Sequence, residues 1–220
     1  MSYPVIVPAV IPTSAAHVRE TCVTLSFTHE YHLDVVDGLF VPTISWPYQP
    51  AGNPAEVQAA TNHYTLEVDL MVRDPIPIAQ AWEAAGADML VFHIETISVE
   101  ALTNFVKTSR ASIGISLHGD TPVTQLNEYA ALADYIQLMG IRTIGAQGLP
   151  FDETVLATIE WVKTHHPTHM ISVDGSMNRT TIPRVLAAGA NRIICGSAIV
   201  GQPDPQAAYS DLLTCVDGNC

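Results

Sequence analysis

Hydrophobic residues fall into short, nearly uninterrupted runs along this chain, and amphipathic stretches separate one run from the next. Continuous apolar runs of this length are typical of strands that are buried on both faces, as the strands of parallel sheets are. The pattern therefore predicts eight strands, at residues 5–10, 31–36, 66–72, 89–94, 113–117, 135–139, 170–173 and 192–195.

The amphipathic stretches between these runs predict helices. Ser98 and Asn178 each precede such a stretch, and both are residue types that favour the position before a helix. Gly86 and Gly189 are each followed by alanine and then by a strand, so they mark two helix ends. The predicted helices include residues 77–85, 99–108, 123–132, 152–165, 179–188 and 205–213.

Eight strand–helix units in 220 residues predict an α/β fold, a single (β/α)₈ TIM barrel domain over residues 1–220. A doubly wound open sheet, which normally uses fewer strands, is the alternative. The longest irregular stretch, residues 41–53, follows the second strand. It lies on the side where barrels carry their active sites, so it is expected to be functional.

Composition and charge restrict the partners that this protein can have. Hydrophobic residues make up 48% of the chain and charged residues 14%, which favours a buried interior and argues against disorder. The formal charge of −13 repels nucleic acid and anionic membranes, so we exclude both as partners. The N-terminus lacks the features of a signal peptide and no apolar run reaches the length of a membrane span, which predicts a soluble cytoplasmic protein.

Polar side chains collect at the predicted carboxyl ends of the strands, where barrel enzymes bind their substrates. His32 and Asp34 lie two residues apart, so both point to the same side of the second strand. Such a pair forms half of a metal site, an acid/base with its partner, or a hydrogen-bonded pair that steadies a strand end. Asp174 ends the seventh strand, which is three steps from the second around a ring of eight. Further residues at strand ends are Asp69, His118, Met139, Gly196 and Ser197.

Two carboxylates that face each other across a bound carbon acid suit one kind of reaction. One carboxylate removes a proton, and the other returns a proton to the opposite face. A divalent ion between them would polarise the neighbouring carbonyl group. Asp34 and Asp174 are therefore the candidate acid/base pair.

Glycine-bearing loops follow the last three strands, at residues 145–148, 175–176 and 196–197. Backbone amides in such turns can bind a phosphate group without any lysine. This mode of binding fits a chain that has few cations.

The chain resembles the ribulose-phosphate 3-epimerase family from about residue 5 to residue 201. The family pattern His-x-Asp-x-Met-Asp-Gly-x-Phe-Val-Pro is found at residues 32–42, with Val36 in place of methionine. The pattern Val-Asp-Gly-Gly is found at residues 173–176, with Ser176 in place of the last glycine. Other matching segments are residues 69–75, 86–88, 188–191 and 196–199.

This resemblance implies a barrel of the ribulose-phosphate-binding type and a role for each matching residue. It implies that His32, Asp34 and Asp174 bind a divalent metal ion and that the two aspartates transfer the protons. It implies that Met71 and Met139 cap the reacting carbons, although plain core filling is the alternative. It implies that a phosphate is held by amides of Gly145, Ala146, Gly175, Ser176, Gly196 and Ser197.

Four positions depart from the family pattern. Asp69 replaces the family's second histidine ligand, and three carboxylates with one imidazole favour a hard ion such as Mg²⁺ or Mn²⁺ over Zn²⁺; Asp69 could instead serve as a neutral acid or a base. Ala9 lacks the serine hydroxyl that faces substrate in the family. Arg142, in an altered sixth loop, is expected to bind the anion or to form a surface salt bridge. His118 replaces a usual asparagine in the mouth of the barrel.

The expected function is epimerisation of a ketose phosphate, with D-ribulose 5-phosphate and D-xylulose 5-phosphate as the family's substrate pair. The expected cofactor is a divalent ion among Mg²⁺, Mn²⁺, Fe²⁺ and Zn²⁺. The alternatives are an epimerase of a related sugar phosphate such as D-allulose 6-phosphate, and a catalytically inactive barrel that acts as a binding protein. The resemblance also implies a homo-oligomer.

Overall fold

Eight parallel strands form the centre of the molecule in the computed structural model, which describes residues 5–146, 148–216 and 218. The strands follow one another around a closed barrel in the order of the sequence. They are β1 (Val5–Val10), β2 (Glu30–Val36), β3 (Thr65–Met71), β4 (Met89–His93), β5 (Ser112–Leu117), β6 (Tyr135–Met139), β7 (Met170–Asp174) and β8 (Arg192–Cys195).

The ring closes through a parallel pairing of the first and last strands, in which Val5 lies opposite Arg192. This closure confirms the predicted (β/α)₈ barrel and rules out the doubly wound open sheet. It also confirms that β2 and β7 are three steps apart, through β1 and β8. Each predicted strand is present, with bounds that differ by at most one residue at either end.

Helices alternate with the strands and cover the outside of the barrel. They are α1 (Ala15–Thr24), α2 (Gln58–Thr61), α3 (Pro75–Ala84), α4 (Val99–Val106), α5 (Leu126–Tyr129), α6 (Thr154–His165), α7 (Ile182–Ala188) and α8 (Pro205–Val216). Short 3₁₀ turns flank α2 and α5, at Pro54–Glu56, Val123–Gln125 and Ala130–Leu132. In the described part of the chain, no helix is long and apolar enough to cross a membrane.

Two helix predictions need correction. The predicted helix at residues 123–132 is divided into 3₁₀, α and 3₁₀ turns rather than one α-helix. Asn178 does not start the helix predicted at residues 179–188, since α7 begins only at Ile182. The Asn178 side chain instead accepts a hydrogen bond from the Thr180 amide, which holds a turn before the helix. Ser98 does cap α4, accepting from the Ala101 amide.

The interior of the barrel contains a charged layer below the mouth. Arg192 donates to Glu67 at 2.6 Å, and the Tyr135 hydroxyl donates to the other oxygen of Glu67 at 2.5 Å. Gly114 makes room for the tyrosine, because a Cβ at that position would lie 2.5 Å from the Tyr135 ring. These residues are buried, so their charges and hydrogen bonds have to match within the protein.

Candidate active site

A cavity of about 1030 Å³ opens at the carboxyl ends of the strands. Asp34 and Asp174 line it beside Met71 and Met139, and so do all six residues predicted to hold phosphate: Gly145, Ala146, Gly175, Ser176, Gly196 and Ser197. Ala9, whose missing hydroxyl was noted from the sequence, lines the same cavity. Gln147, within the first phosphate loop, lies outside the described residues.

Four predicted metal ligands meet at the edge of this cavity. His32, Asp34, Asp69 and Asp174 each offer one ligand atom, and these atoms all lie within 4.8 Å of one another. The pairing of β2 with β3 places Asp34 directly opposite Asp69. The donor set of three carboxylates and one imidazole suits a hard divalent ion, so the residues present fit the cofactor that the sequence predicted.

Glu67 orients the imidazole of His32, and sequence reasoning missed this residue. His32 and Glu67 are register partners on β2 and β3, and Nδ1 of His32 lies 2.5 Å from Oε2 of Glu67. A proton on Nδ1 therefore points to Glu67, and Nε2 is left facing the cluster, 3.2 Å from Oδ1 of Asp34. Carboxylate–histidine pairs of this kind fix the tautomer of metal ligands. The sequence signal was available, since Glu67 lies two residues before Asp69 and shares its side of the strand.

Burial and charge shift the pKa of both predicted acid/base residues upward. Loss of water raises the pKa of Asp174 well above its usual value, and the nearby charge of Asp34 adds to this effect. Burial also raises the pKa of Asp34, against the lowering effect of the hydrogen bond to His32. Both aspartates of the ion-free cluster therefore bind a proton more tightly than an ordinary aspartate does.

His32 has a raised pKa for the opposite reason. Burial alone would lower the pKa of this imidazole, but the charge of Glu67 and the hydrogen bond to Asp34 outweigh burial and raise it well above 6.5. An ion-free cluster therefore carries a proton on His32 that a bound cation would displace.

Asp69 is held by two side chains from other strands. Nε2 of His93, on β4, lies 3.0 Å from Oδ1 of Asp69, and Nε2 of Gln137, on β6, donates to Oδ2 at 2.8 Å. From the sequence alone, His93 and Glu95, which lie two residues apart, are expected to form an internal hydrogen-bonded pair, but the structure pairs His93 with Asp69. Glu95 instead accepts a hydrogen bond from the backbone amide of His118 at 2.7 Å.

The loop after β7 requires glycine at its centre. Gly175 has a φ of +103°, and a Cβ there would lie 2.8 Å from Cγ1 of Ile141. Ser176 follows in the left-handed region with a φ of 58°, which is uncommon for a residue with a side chain. The loop is anchored by the Thr181 hydroxyl, which donates to the Ser176 carbonyl at 2.7 Å. Backbone strain of this kind concentrates at binding sites.

Two residues predicted to lie at the substrate site, Arg142 and His118, do not line this cavity. Arg142 is 62% exposed and forms salt bridges with Asp120 and Asp152, so the surface pairing that the sequence left open is the one observed. The ring of His118 accepts from the Asp120 amide and does not line the main cavity. Arg142 and His118 lie in the loops after β6 and β5, and neither loop places its side chain in the cavity wall.

Arg179 is a cavity-lining cation that sequence reasoning missed. It belongs to the loop between β7 and α7 and forms an ion pair with Asp211 on α8. Among the described residues that line the cavity, it is the single lysine or arginine.

A closed parallel barrel with ionisable residues and glycine loops at its carboxyl mouth defines a (β/α)₈ enzyme. The chain belongs to the ribulose-phosphate 3-epimerase family, whose model matches residues 5–200. This result confirms the predicted family and its isomerase class.

Relatives agree with this assignment, and a solved structure agrees with the barrel fold. The chain is 33% identical over 189 residues to a ribulose-phosphate 3-epimerase of Bacillus subtilis (strain 168), covering 82% of this chain and 84% of the relative. It is 33% identical over 172 residues to one of Treponema pallidum (strain Nichols), covering 76% and 77%. Its fold is similar to that of 3-keto-L-gulonate-6-phosphate decarboxylase from Vibrio cholerae, with a TM-score of 0.74, 16% identity and complete coverage of both chains.

Proposed function

We propose that this protein is a metal-dependent ketose-phosphate epimerase that interconverts D-ribulose 5-phosphate and D-xylulose 5-phosphate. The observation that carries this proposal is the position of Asp34 and Asp174. They stand on strands three steps apart, line one cavity, and approach each other within 4.8 Å in a cluster with His32 and Asp69.

Epimerisation at carbon 3 needs one base and one acid on opposite faces of the sugar. One aspartate removes the proton from carbon 3, and the electron pair of the broken C–H bond moves into a cis-enediolate with the neighbouring carbonyl. The other aspartate then donates a proton to the opposite face of carbon 3. Burial raises the pKa of both aspartates in the ion-free cluster, so either one can hold the proton that the other lacks. Their roles exchange in the reverse reaction.

His32, Asp34, Asp69 and Asp174 would hold the divalent ion. When bound, this ion supplies positive charge for the oxygens of the substrate that become negative. Glu67 keeps Nε2 of His32 turned toward the cluster, while His93 and Gln137 keep the oxygens of Asp69 in place.

The remaining cavity walls suit a phosphorylated sugar. Met71 and Met139 offer an apolar surface beside the acid/base pair, which would keep water from the enediolate. The amides of the three glycine loops would hold the phosphate, with Arg179 as a nearby cation. We also propose, as for the family, a homo-oligomer in the cytoplasm.

D-Allulose 6-phosphate is a second candidate substrate because of Ala9. This residue lines the cavity and offers no hydroxyl to a substrate, so one polar contact expected for the pentulose is missing. A direct comparison of kcat/KM for the two sugars, with Mn²⁺ added, decides between them.

The test of the reaction is solvent exchange at carbon 3. Protein loaded with Mn²⁺ is incubated with D-ribulose 5-phosphate in D₂O, and deuterium at carbon 3 is followed by NMR. We expect Asp174→Asn to lower the exchange rate by a factor of about 10² to 10⁴ while the circular dichroism spectrum is unchanged. Asp120→Asn is the control, because Asp120 is exposed and pairs with Arg142 away from the cavity.

Continued deuterium incorporation in Asp174→Asn at the parental rate would overturn the assigned proton transfer. Absence of exchange in the parental protein with every divalent ion would favour the alternative of a non-catalytic binding protein.

A further inference from the structure

Asp69 is a buried carboxylate whose two oxygens are bonded from opposite sides. Its side chain is fully buried on β3, within the four-residue cluster. His93 reaches Oδ1 at 3.0 Å from the following strand, β4, and Gln137 reaches Oδ2 at 2.8 Å from β6. An ionised carboxylate has about four acceptor positions, so two such bonds fix its plane and leave lone pairs for a cation.

The hydrogen bond to Asp69 is the contact that explains a buried glutamine at position 137. Gln137 is fully buried on β6, between Ile136 and Leu138. Its carbonyl oxygen has no hydrogen-bond partner among the described residues, and its nitrogen also donates a long hydrogen bond to the Met139 sulfur, at 4.0 Å. Burial of an unmatched amide oxygen is unfavourable, because the oxygen loses its hydrogen bonds to water. An aliphatic side chain at position 137 would leave no amide oxygen unmatched. The hydrogen bond to Asp69 is therefore the contact that explains a glutamine at this position.

The orientation of the Gln137 side-chain amide follows from which of its two ends can donate a hydrogen bond. Only the NH₂ end of Gln137 can donate to a carboxylate, so the unmatched group must be the carbonyl. Gln137 is a neutral donor, so its hydrogen bond does not cancel the negative charge of an ionised Asp69. A lysine or arginine in this place would neutralise that charge.

We propose that Gln137, together with His93, is a positioning residue that holds Asp69 as an anionic ligand and thereby sets the preference of the site for Mn²⁺ or Mg²⁺ over Zn²⁺. The inference rests on the metal site of the proposed function. It goes beyond that function because it assigns the selectivity of the site to residues that do not touch the ion. Residues that orient metal ligands typically contribute 10- to 100-fold to metal affinity.

The test is calorimetric titration of the chelator-treated protein with Mn²⁺ and, separately, with Zn²⁺. We expect Gln137→Leu to weaken Mn²⁺ binding 10- to 100-fold and to weaken Zn²⁺ binding less. The ratio of the Mn²⁺ affinity to the Zn²⁺ affinity should therefore fall. Gln137→Asn, which keeps the amide but shortens its reach, is expected to act in the same direction. This second variant preserves a polar group in the barrel and guards against a folding defect.

Ser116→Ala is the matched control. Ser116 lies on β5, in register with both His93 and Gln137, and its hydroxyl has no partner among the described atoms. It is buried in the same layer but makes no bond to Asp69. The affinity of this variant for both ions is expected to match that of the parental protein.

A double-mutant cycle separates positioning from a general effect on the fold. In an Asp69→Asn background, Gln137→Leu should cause no further loss of Mn²⁺ affinity, because the ligand that it orients is gone. An equal loss in both backgrounds would overturn the proposal, as would unchanged selectivity in Gln137→Leu. Failure of the parental protein to bind any divalent ion would overturn both this inference and the metal dependence of the proposed function.

Discussion

The carboxylate of Glu67 is held inside the barrel by groups that are far away in the sequence. Burial alone would raise its pKa, but the charges of Arg192 and His32 outweigh burial and hold the pKa of Glu67 well below its usual value. A depressed pKa in the folded state means that the ionised group stabilises the fold. This stabilisation is complete above the unfolded-state pKa of about 4.3 and is lost as the pH falls toward the folded-state value.

Glu67→Gln is expected to destabilise the ion-free protein by about 3 kcal/mol at pH 7, because it leaves Arg192 buried with less negative charge beside it. The difference from the parental protein should grow somewhat from pH 7 to pH 5, because the charge of Glu67 also raises the pKa of His32, and should narrow below about pH 4.3. Urea unfolding across this pH range measures it. Glu100→Gln, on the exposed face of α4, should change the unfolding free energy by less than about 0.5 kcal/mol. A Glu67→Gln deficit that stays constant down to pH 3 would contradict the assigned charge.

At the scale of elements, the strands and their carboxyl ends were predictable from the sequence because parallel strands carry a local signal. A continuous apolar run fixes each strand, and the barrel then brings the residues at the strand ends together. His32, Asp34, Asp69 and Asp174 were found in this way, and the structure places all four in one cluster.

Residues inside the barrel could not be predicted so easily, since their partners come from distant strands. Glu67 and Arg192 are 125 residues apart, and Gln137 and Asp69 are 68 apart. Polar residues within apolar runs give no local indication of what they contact. Arg142 shows a second limit to prediction from sequence. Its direction depends on the conformation of its loop, which the sequence pattern does not specify, and the loop turns it toward Asp120 and Asp152.

Gly140, which follows β6, lies against the loop that follows β7, and this close contact gives a prediction for a single glycine. A Cβ at Gly140 would lie 2.3 Å from the Gly175 carbonyl oxygen, and the Gly140 amide already donates to the Asp174 carbonyl at 2.6 Å. Backbone atoms cannot rotate away as a side chain does, so Gly140→Ala must displace the loop that follows Asp174. We expect a loss of about 1–3 kcal/mol in unfolding free energy and a lower rate of deuterium exchange at carbon 3.

Gly119→Ala is the control for this substitution, because its nearest contact would be Asp152 at 3.7 Å, an ordinary van der Waals distance. Urea unfolding and the exchange assay on both variants give the comparison. Equal stability of the two variants would show that the close approach at Gly140 does not constrain the loop.

At the scale of the whole molecule, the formal charge of −13 is the dominant electrostatic feature. Like charges on a compact surface repel each other and oppose folding. The exposed pair between Arg142 and Asp120 is one of several attractive contacts, and such surface pairs contribute little. Repulsion among the excess carboxylates should therefore outweigh attraction in the response to salt.

Sodium chloride is accordingly expected to stabilise the ion-free protein at pH 7.5. Raising the ionic strength from 0.01 M to 0.15 M shortens the Debye length from about 30 Å to about 8 Å, which screens repulsion across the surface. A gain of about 1 kcal/mol would raise Tm by about 2–4 °C for a chain of this size. Differential scanning calorimetry at both salt concentrations measures this shift.

The same comparison at pH 5, close to the isoelectric point of about 4.8, is the control, and the shift should disappear there because net repulsion is small. A Tm that falls with salt at pH 7.5 would show instead that attractive surface pairs dominate.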